Sequence, residues 1–135
     1  MAFSVTYDTS LIDFEKMKNE NLFKEFVDFA FSYVSGPKIE EHKAQIMKSY
    51  ESDRLHFYVN QGRQMVEDAY IMGTNRAIFL KNLQDQFGYT IKKSHQMLIL
   101  IPIECSGPTN DYNMIPLTKQ HYDLAVEKFK TLFYK

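Results

Sequence analysis

The hydrophobic positions of the chain repeat with helical spacing over long segments and with strand-like spacing over short ones. Helical spacing covers residues 11–34 with a break near 19–21, the segment after Pro37, residues 64–87 with a break at 73–75, and the segment after Thr118. Short apolar, β-branched or aromatic runs at 55–59, 97–103 and 114–117 predict strands. This order predicts a mostly α fold with a small antiparallel β-sheet (α+β), in a single domain over residues 1–135.

Local signals place the ends of several of these elements. Pro37 suits a first helical position, Gly88 suits a left-handed helix C-cap, and Thr118 suits an N-cap. Residues 104–113 are rich in Gly, Pro, Asn and Asp, which predicts a loop.

The second half of the first helical segment is apolar nearly all round. Between residues 23 and 34 it carries four phenylalanines, one tyrosine and two valines. A helix of this kind must bury two faces, either against its own core and a second copy of the chain or as a central helix within a monomer. Both interpretations stay open at this point.

Length and composition favour an intracellular protein. The 135 residues suit one domain, Cys105 is the single cysteine, and residues 1–5 lack the basic stretch of a secretory signal. The longest apolar run, 97–103, is too short to cross a membrane. We therefore expect a soluble cytoplasmic protein that makes no membrane contact.

The net charge of −1 conceals a segregation of charge along the chain. Residues 1–53 carry six cations and ten carboxylates, whereas residues 54–96 carry six cations and three carboxylates. A basic central segment is compatible with one face that meets phosphates, and equally with scattered solvated cations.

A possible helix-turn-helix lies within this basic segment. Ala69 is small enough for a close helix crossing, and Gly73, four residues later, can take a tight turn. Asn75 can then cap a second helix. The residues of that helix that would face inward follow at i, i+4 and i+8: Phe79, Leu83 and Phe87. Arg76 and Lys81 would face outward.

Two sequence patches make the chain similar to winged helix-turn-helix regulators of the MarR type. The first is the run Ala69-x3-Gly73-x5-Phe79-x3-Leu83, and the second is Ile115-Pro116-Leu117-Thr118-Lys119-Gln120. The resemblance implies a winged-helix-like core at 37–117, with a recognition helix at 74–87 and wing strands at 97–103 and 114–117. It also implies a homodimer through helices at 11–35 and 118–134.

The function predicted from this resemblance is a DNA-binding transcriptional regulator without enzymatic activity, with double-stranded DNA as its partner. Base-specific contacts would come from Asn75, Arg76 and Lys81, and phosphate contacts from Arg54, Arg63, Lys92 and Lys93.

Other chemistry has weaker support in the sequence. Cys105 lies in the predicted loop and could be exposed and reactive if His95 or His121 served as its base. The four histidines lack metal-site spacing, and no glycine-rich phosphate loop is present, so neither a metal nor a cofactor is expected.

The alternative function is a small protein–protein interaction module, an inhibitor or immunity-type protein that binds and blocks a partner. An acidic, aromatic surface would cover the partner's basic site, with its carboxylates from Asp28, Glu40, Glu41 and Glu51. The near-neutral charge and the absence of Lys and Arg from residues 104–113 favour this alternative.

Overall fold

The computed structural model describes residues 7–57, 76–105, 107–108 and 110–135, and in these ranges the chain is mostly helical. The helices are α1 (Phe14–Met17), α2 (Glu20–Phe31), α3 (Ile39–Asp53), α4 (Arg76–Phe87) and α5 (Lys119–Phe133). The strands β1 (Gln96–Ile99) and β2 (Met114–Leu117) form an antiparallel pair. Single 3-10 turns occur at Thr9–Leu11, Arg54–His56, Ile103–Cys105 and Asp111–Asn113. The predicted α+β class with a small antiparallel sheet is confirmed.

Side-chain caps account for where several helices begin. Asn19 Oδ1 accepts hydrogen bonds from the backbone N–H groups of Asn21 (3.0 Å) and Leu22 (3.2 Å), so a new helix starts where the sequence predicts a break. Thr118 Oγ1 accepts from the His121 N–H at 3.3 Å, which confirms the predicted cap of α5. Gly88 has φ +75°, the left-handed conformation expected of a residue that ends α4.

The central helix α2 buries its apolar residues within one chain. The Phe26 ring meets the α5 rings of Phe129 and Phe133 edge-on, with centroids 5.4 and 6.3 Å away. Toward α3, Phe23 stacks on Tyr50 at 4.1 Å. Packing within one chain therefore accounts for the burial of α2, and no second copy is needed to explain it.

The two ends of the described chain are joined in a terminal clasp of residues 11–13 and 133–135. Ile12 and Tyr134 form an isolated antiparallel bridge. The Asp13 N–H donates to the Phe133 carbonyl (2.8 Å), and the Lys135 N–H donates to the Leu11 carbonyl (2.7 Å).

The strand predicted at 55–59 is wrong over its described part. Arg54–His56 form a 3-10 turn that continues from α3, and Leu55 is 75% exposed. The turn satisfies its own backbone, because the Arg54 N–H donates to the Tyr50 carbonyl and the Phe57 N–H donates to the Arg54 carbonyl. Residues 58–59 lie outside the described ranges.

The strand predicted at 97–103 is shorter than expected and ends at Ile99. The Leu100 N–H still donates to the backbone carbonyl of Asn113 at 2.9 Å, but the backbone of Ile101 bonds instead to the Asn113 side chain. The chain then turns away from the sheet. The partner strand, predicted at 114–117, is confirmed with those bounds and is buried along its whole length.

None of the helices that the structure describes is long and apolar enough to cross a lipid bilayer.

Candidate nucleic-acid interface

Helix α4 divides into a buried and an exposed face as the sequence predicts. Leu83 and Phe87 are buried, and the half-buried Phe79 packs against the same cluster. We call this the hairpin cluster; its buried members are Leu83, Phe87, Tyr89, Met97, Ile103 and Met114. The outer face presents Ala77, Ile78, Lys81, Gln84 and Asp85, and Ile78 is 57% exposed. A solvent-facing helix that directly precedes an antiparallel strand pair could read a DNA groove.

Three of the predicted DNA-binding lysines lie on the surface of this region. Lys81 is exposed on α4, and Lys92 and Lys93 are exposed in the turn that leads toward β1. The turn is closed by two hydrogen bonds between Lys92 and His95, from the Lys92 N–H to His95 Nδ1 (3.2 Å) and from the His95 N–H to the Lys92 carbonyl (3.0 Å). Within the described ranges none of these three lysines forms an ion pair, so their charges are available to a ligand.

The remaining predicted contacts are only partly described. Arg76 is the first described residue of α4, and its backbone alone is described. Asn75, Arg63 and the turn from Ala69 to Gly73 lie outside the described ranges. The structure thus describes the outer face of the proposed recognition helix but not the helix and turn expected before it.

Arg54 has a different environment from the three lysines. Its guanidinium lies 3.3 Å from the Glu51 carboxylate and 3.9 Å from that of Glu20. Two carboxylates of the same chain therefore already lie near its positive charge, which leaves Arg54 less able to attract a phosphate. Arg54 is thus grouped with the carboxylates of the helices and not with the three exposed lysines.

The connection between β1 and β2 folds inward, although the resemblance implies a projecting wing there. Four of its residues are at most 1% exposed to solvent: Leu100, Ile101, Ile103 and Cys105. The Asn113 side chain holds this β1–β2 connection together: Oδ1 accepts from the Ile101 N–H (2.8 Å), and Nδ2 donates to the carbonyls of Ile101 (2.9 Å) and Pro108 (2.8 Å). Most of the described residues of this connection therefore face the interior and not a DNA backbone.

Burial also corrects the expectation for Cys105. Its side chain is 0% exposed in a 3-10 turn of the β1–β2 connection, so reagents in solution do not reach it. Sequence reasoning failed here because Gly107 and Pro108 are typical of surface loops. In the fold, Gly107 lies against the Ile101 carbonyl, where an added Cβ would come within 2.2 Å of the oxygen.

His42 is a residue of interest that the sequence analysis did not single out. It is fully buried, its Nδ1 lies 2.7 Å from the Tyr89 hydroxyl, and its Nε2 lies 2.6 Å from the Tyr112 carbonyl oxygen. Burial lowers the pKa of His42 to about 4. The signal was available, since His42 shares the helical face of Ile39, Ile46 and Tyr50.

The acidic surface of the alternative function is largely paired within the chain. Asp28 lies 3.1 Å from Lys24 and 3.2 Å from Lys43, and Glu40 lies 3.8 Å from Lys43. Glu51 pairs with Arg54, while Glu41 is exposed. Most of the predicted acidic carboxylates therefore already have a cation of the same chain nearby.

No group of three or more His, Cys, Asp and Glu side chains arranged to hold a metal occurs among the residues that the structure describes. No protein-family model, curated protein or solved structure matches the chain.

Proposed function

We propose that the chain is a DNA-binding transcriptional regulator of the winged helix-turn-helix type, with α4 as its recognition helix. The observation that carries the proposal is the position of α4. Its apolar stripe is buried against the strand pair that follows it, and Lys81 is exposed on its outer face. The order of α3, α4, two antiparallel strands and α5 is compatible with a winged-helix layout.

The proposed contacts fall into two groups. Asn75, Arg76 and Lys81 would meet base edges and nearby phosphates from the first half of α4. Lys92 and Lys93, together with Arg63, would meet phosphates without reading sequence. Arg54 contributes less in this proposal than its sequence position predicted, because Glu51 and Glu20 already balance its charge.

The proposed interface differs from an ordinary winged helix at the wing. Within residues 104–113 the sequence has no Lys or Arg, and the described part of the β1–β2 connection is largely buried. Phosphate contacts would therefore depend on the turn at Lys92 and Lys93 instead of a flexible wing tip.

Fluorescence anisotropy of a labelled mixed-sequence duplex, titrated with protein at low and then physiological salt, tests this proposal. We expect affinity that falls steeply with salt because bound phosphates release counterions. The double variant Arg76→Ala/Lys81→Ala should lose most of the binding. The variant Lys92→Ala/Lys93→Ala should weaken binding to all duplexes alike and lower the salt slope by about 2.

The matched control for both variants is Lys38→Ala/Lys48→Ala, which also removes two exposed lysines. These lysines flank and lie on α3, so the control should leave DNA affinity nearly unchanged. Absence of binding at low salt, or an equal loss in the control, would overturn the proposal.

The inward fold of the β1–β2 connection and the exposed apolar side chain of Ile78 favour a second candidate function. A module that binds and blocks another protein needs no charged wing, and it gains affinity from exposed apolar groups. In this candidate the acidic surface around Glu40 and Glu41 covers a basic site of the partner.

Affinity capture followed by titration of the purified partner separates the two candidates. Glu40→Lys/Glu41→Lys should weaken partner binding at least about tenfold, since it places like charges opposite the basic site. Lys92→Ala/Lys93→Ala, which removes two exposed lysines away from α4, should leave partner binding unchanged. If the charge reversal has no effect, the acidic surface is not the binding surface.

The homodimer through helices at 11–35 and 118–134 stays a prediction. Because α2 and α5 bury their strongest apolar faces on each other, a dimer would have to use what remains exposed, such as Leu124 (43% exposed). Sedimentation velocity at several concentrations of the full chain measures the state directly, and a constant monomer mass would refute the dimer.

A further inference from the structure

The hydrophobic interior described by the structure consists of two clusters, and His42 lies where they meet. The larger one, the helical cluster, includes Phe26, Phe31, Ile46 and Phe129. It also contains residues of the strands and of their connection: Leu98, Leu100, Ile101, Cys105, Ile115 and Leu117. The other is the hairpin cluster around α4, to which the strands contribute Met97 and Met114. His42 presents its ring edge-on to Phe31 (centroids 5.0 Å apart, planes at 90°) and stacks face-to-face on Phe87 (4.0 Å, 5°).

Hydrogen bonds determine which form of His42 fits this position. The Tyr112 carbonyl oxygen can only accept, so the proton of the neutral ring sits on Nε2 and is donated to it. Nδ1 then carries a lone pair and accepts the Tyr89 hydroxyl proton. The neutral ring is thus satisfied at both nitrogens, by one group from the segment after α4 and one from the β1–β2 connection.

Few charges reach this ring. Its neighbours on α2 and α4 are the rings of Phe31 and Phe87, and Tyr89 contributes its hydroxyl. Among the described residues, the charged group that acts on His42 is Asp111, which favours the protonated form. Asp111 is itself bound by the Tyr112 N–H (2.8 Å) and by Gln86 Nε2 of α4 (3.3 Å).

A second proton on His42 would disrupt this arrangement in two ways. It would place a positive charge in an environment that excludes water, which is why the pKa of His42 is lowered to about 4. It would also occupy Nδ1, so the buried Tyr89 hydroxyl would lose the acceptor for its own proton.

We propose that His42 is an acid-sensitive latch, which holds α4 and the turn Asp111–Asn113 to the helical cluster while neutral and releases them when it is protonated. Two further contacts, made by Tyr89 and by its neighbour Gly88, must separate when the latch opens. Tyr89 packs beside Gly36, where an added Cβ would come within 3.3 Å of the Tyr89 ring, and Gly88 packs against Pro37. Opening along this line would free α4 and the turn Asp111–Asn113. The strands would stay packed with α2 and α5, because Leu98 and Ile115 belong to the same cluster as Phe26 and Phe129. The latch does not depend on the proposed function, since it concerns packing alone.

Heteronuclear NMR of the full chain between pH 7.5 and pH 3.5 tests the latch. The ring nitrogen shifts of His42 report its tautomer and its protonation, and amide hydrogen exchange reports opening. We expect a neutral Nε2–H ring at pH 7. Because the ring takes up a proton near pH 6.5 once exposed but only near pH 4 while buried, opening at α4 and at residues 111–113 should rise by about two orders of magnitude relative to α5 as the pH falls between these values, and should level off below pH 4, after correction for the intrinsic rates.

The variant His42→Gln supplies a donor and an acceptor but does not titrate. The amides of α4 should stay protected from hydrogen exchange at acid pH in this variant. The control His56→Gln, at an exposed histidine, should open like the wild type. Protonation of His42 without local opening, loss of protection in all helices together, or an unchanged acid transition in His42→Gln would each overturn the latch.

A second variant covers the case in which His42→Gln does not fold. Tyr89→Phe keeps the ring but removes the hydroxyl that favours neutral His42. Its opening midpoint should therefore move to higher pH. An unchanged or lower midpoint in Tyr89→Phe would contradict the proposed role of the Tyr89–His42 hydrogen bond.

Discussion

Asn113 shows how a single polar side chain can organise a connection that looks irregular in sequence. It is fully buried, and its amide group replaces a strand partner for Ile101 by bonding to both the N–H and the carbonyl of that residue. A third bond, to the Pro108 carbonyl, draws the far side of the connection inward. Buried backbone groups need such partners, so the residue determines where this segment lies.

Substitution Asn113→Ala should therefore destabilise the protein strongly. It leaves the Ile101 N–H and carbonyl buried without these partners, and we expect a loss of about 2–4 kcal/mol in the free energy of unfolding, measured by urea denaturation. The control is Asn21→Ala, at an exposed position on α2, which should change stability by less than about 0.5 kcal/mol. Equal effects of the two substitutions would contradict this role of Asn113.

At the scale of elements, local signals in the sequence predicted most of the described helix ends. Pro37 is an exception, because the helix after it begins only at Ile39. The break at Asn19, the cap at Thr118 and the left-handed Gly88 depend on neighbouring residues alone, and all three are confirmed. The helical spacing predicted after Thr118 is also observed in α5, where Ala125, Phe129 and Phe133 recur on one buried face.

What sequence reasoning missed depends on contacts between residues distant along the chain. The strand expected at 55–59 failed because apolar residues near Leu55 do not show whether a partner strand is available. The β1–β2 connection was expected at the surface because its burial requires Asn113 to reach back to Ile101. For the candidate site, the exposure of Lys81 followed from helical spacing, whereas the pairing of Arg54 with Glu20 did not follow from any local pattern.

The side chain of Thr118 caps the N-terminus of α5. Replacing Thr118 by Ala removes the oxygen that accepts from the His121 N–H, and we expect a loss of about 1 kcal/mol in the free energy of unfolding. Thr118→Ser keeps that oxygen and should retain most of the stability. If both variants unfold at the same urea concentration, the side-chain cap makes no net contribution.

At the scale of the whole molecule, the terminal clasp joins the beginning and the end of the described chain. It brings the backbone of Leu11 and Asp13 into register with that of Lys135 and Phe133, and it covers Ile12, which is 1% exposed. The clasp also brings Lys16 Nζ to the Tyr134 carbonyl at 3.2 Å. Main-chain hydrogen bonds thus tie the end of α5 to the segment that precedes α1 and α2.

Removal of residues 134–135 should lower the stability of the entire fold. The deletion takes away the Ile12 bridge and the partner of the Leu11 carbonyl, and it uncovers the Ile12 side chain. We therefore expect a loss of about 1–3 kcal/mol in the free energy of unfolding, measured by thermal denaturation. The control Lys135→Ala keeps the main-chain bonds and should melt close to the wild type. A deletion variant as stable as the wild type would show that the clasp contributes little.

The direction of the clasp also determines how the molecule responds to mechanical force. Residue 11 is paired with residue 135, and residue 13 with residue 133, so the two outgoing ends leave the pair on the same side. Tension applied between residue 11 and residue 135 would load these bonds one after another, as in opening a zipper, and would not shear them together. The ends of the fold should therefore separate at low force, before the rings of Phe26 and Phe129 come apart.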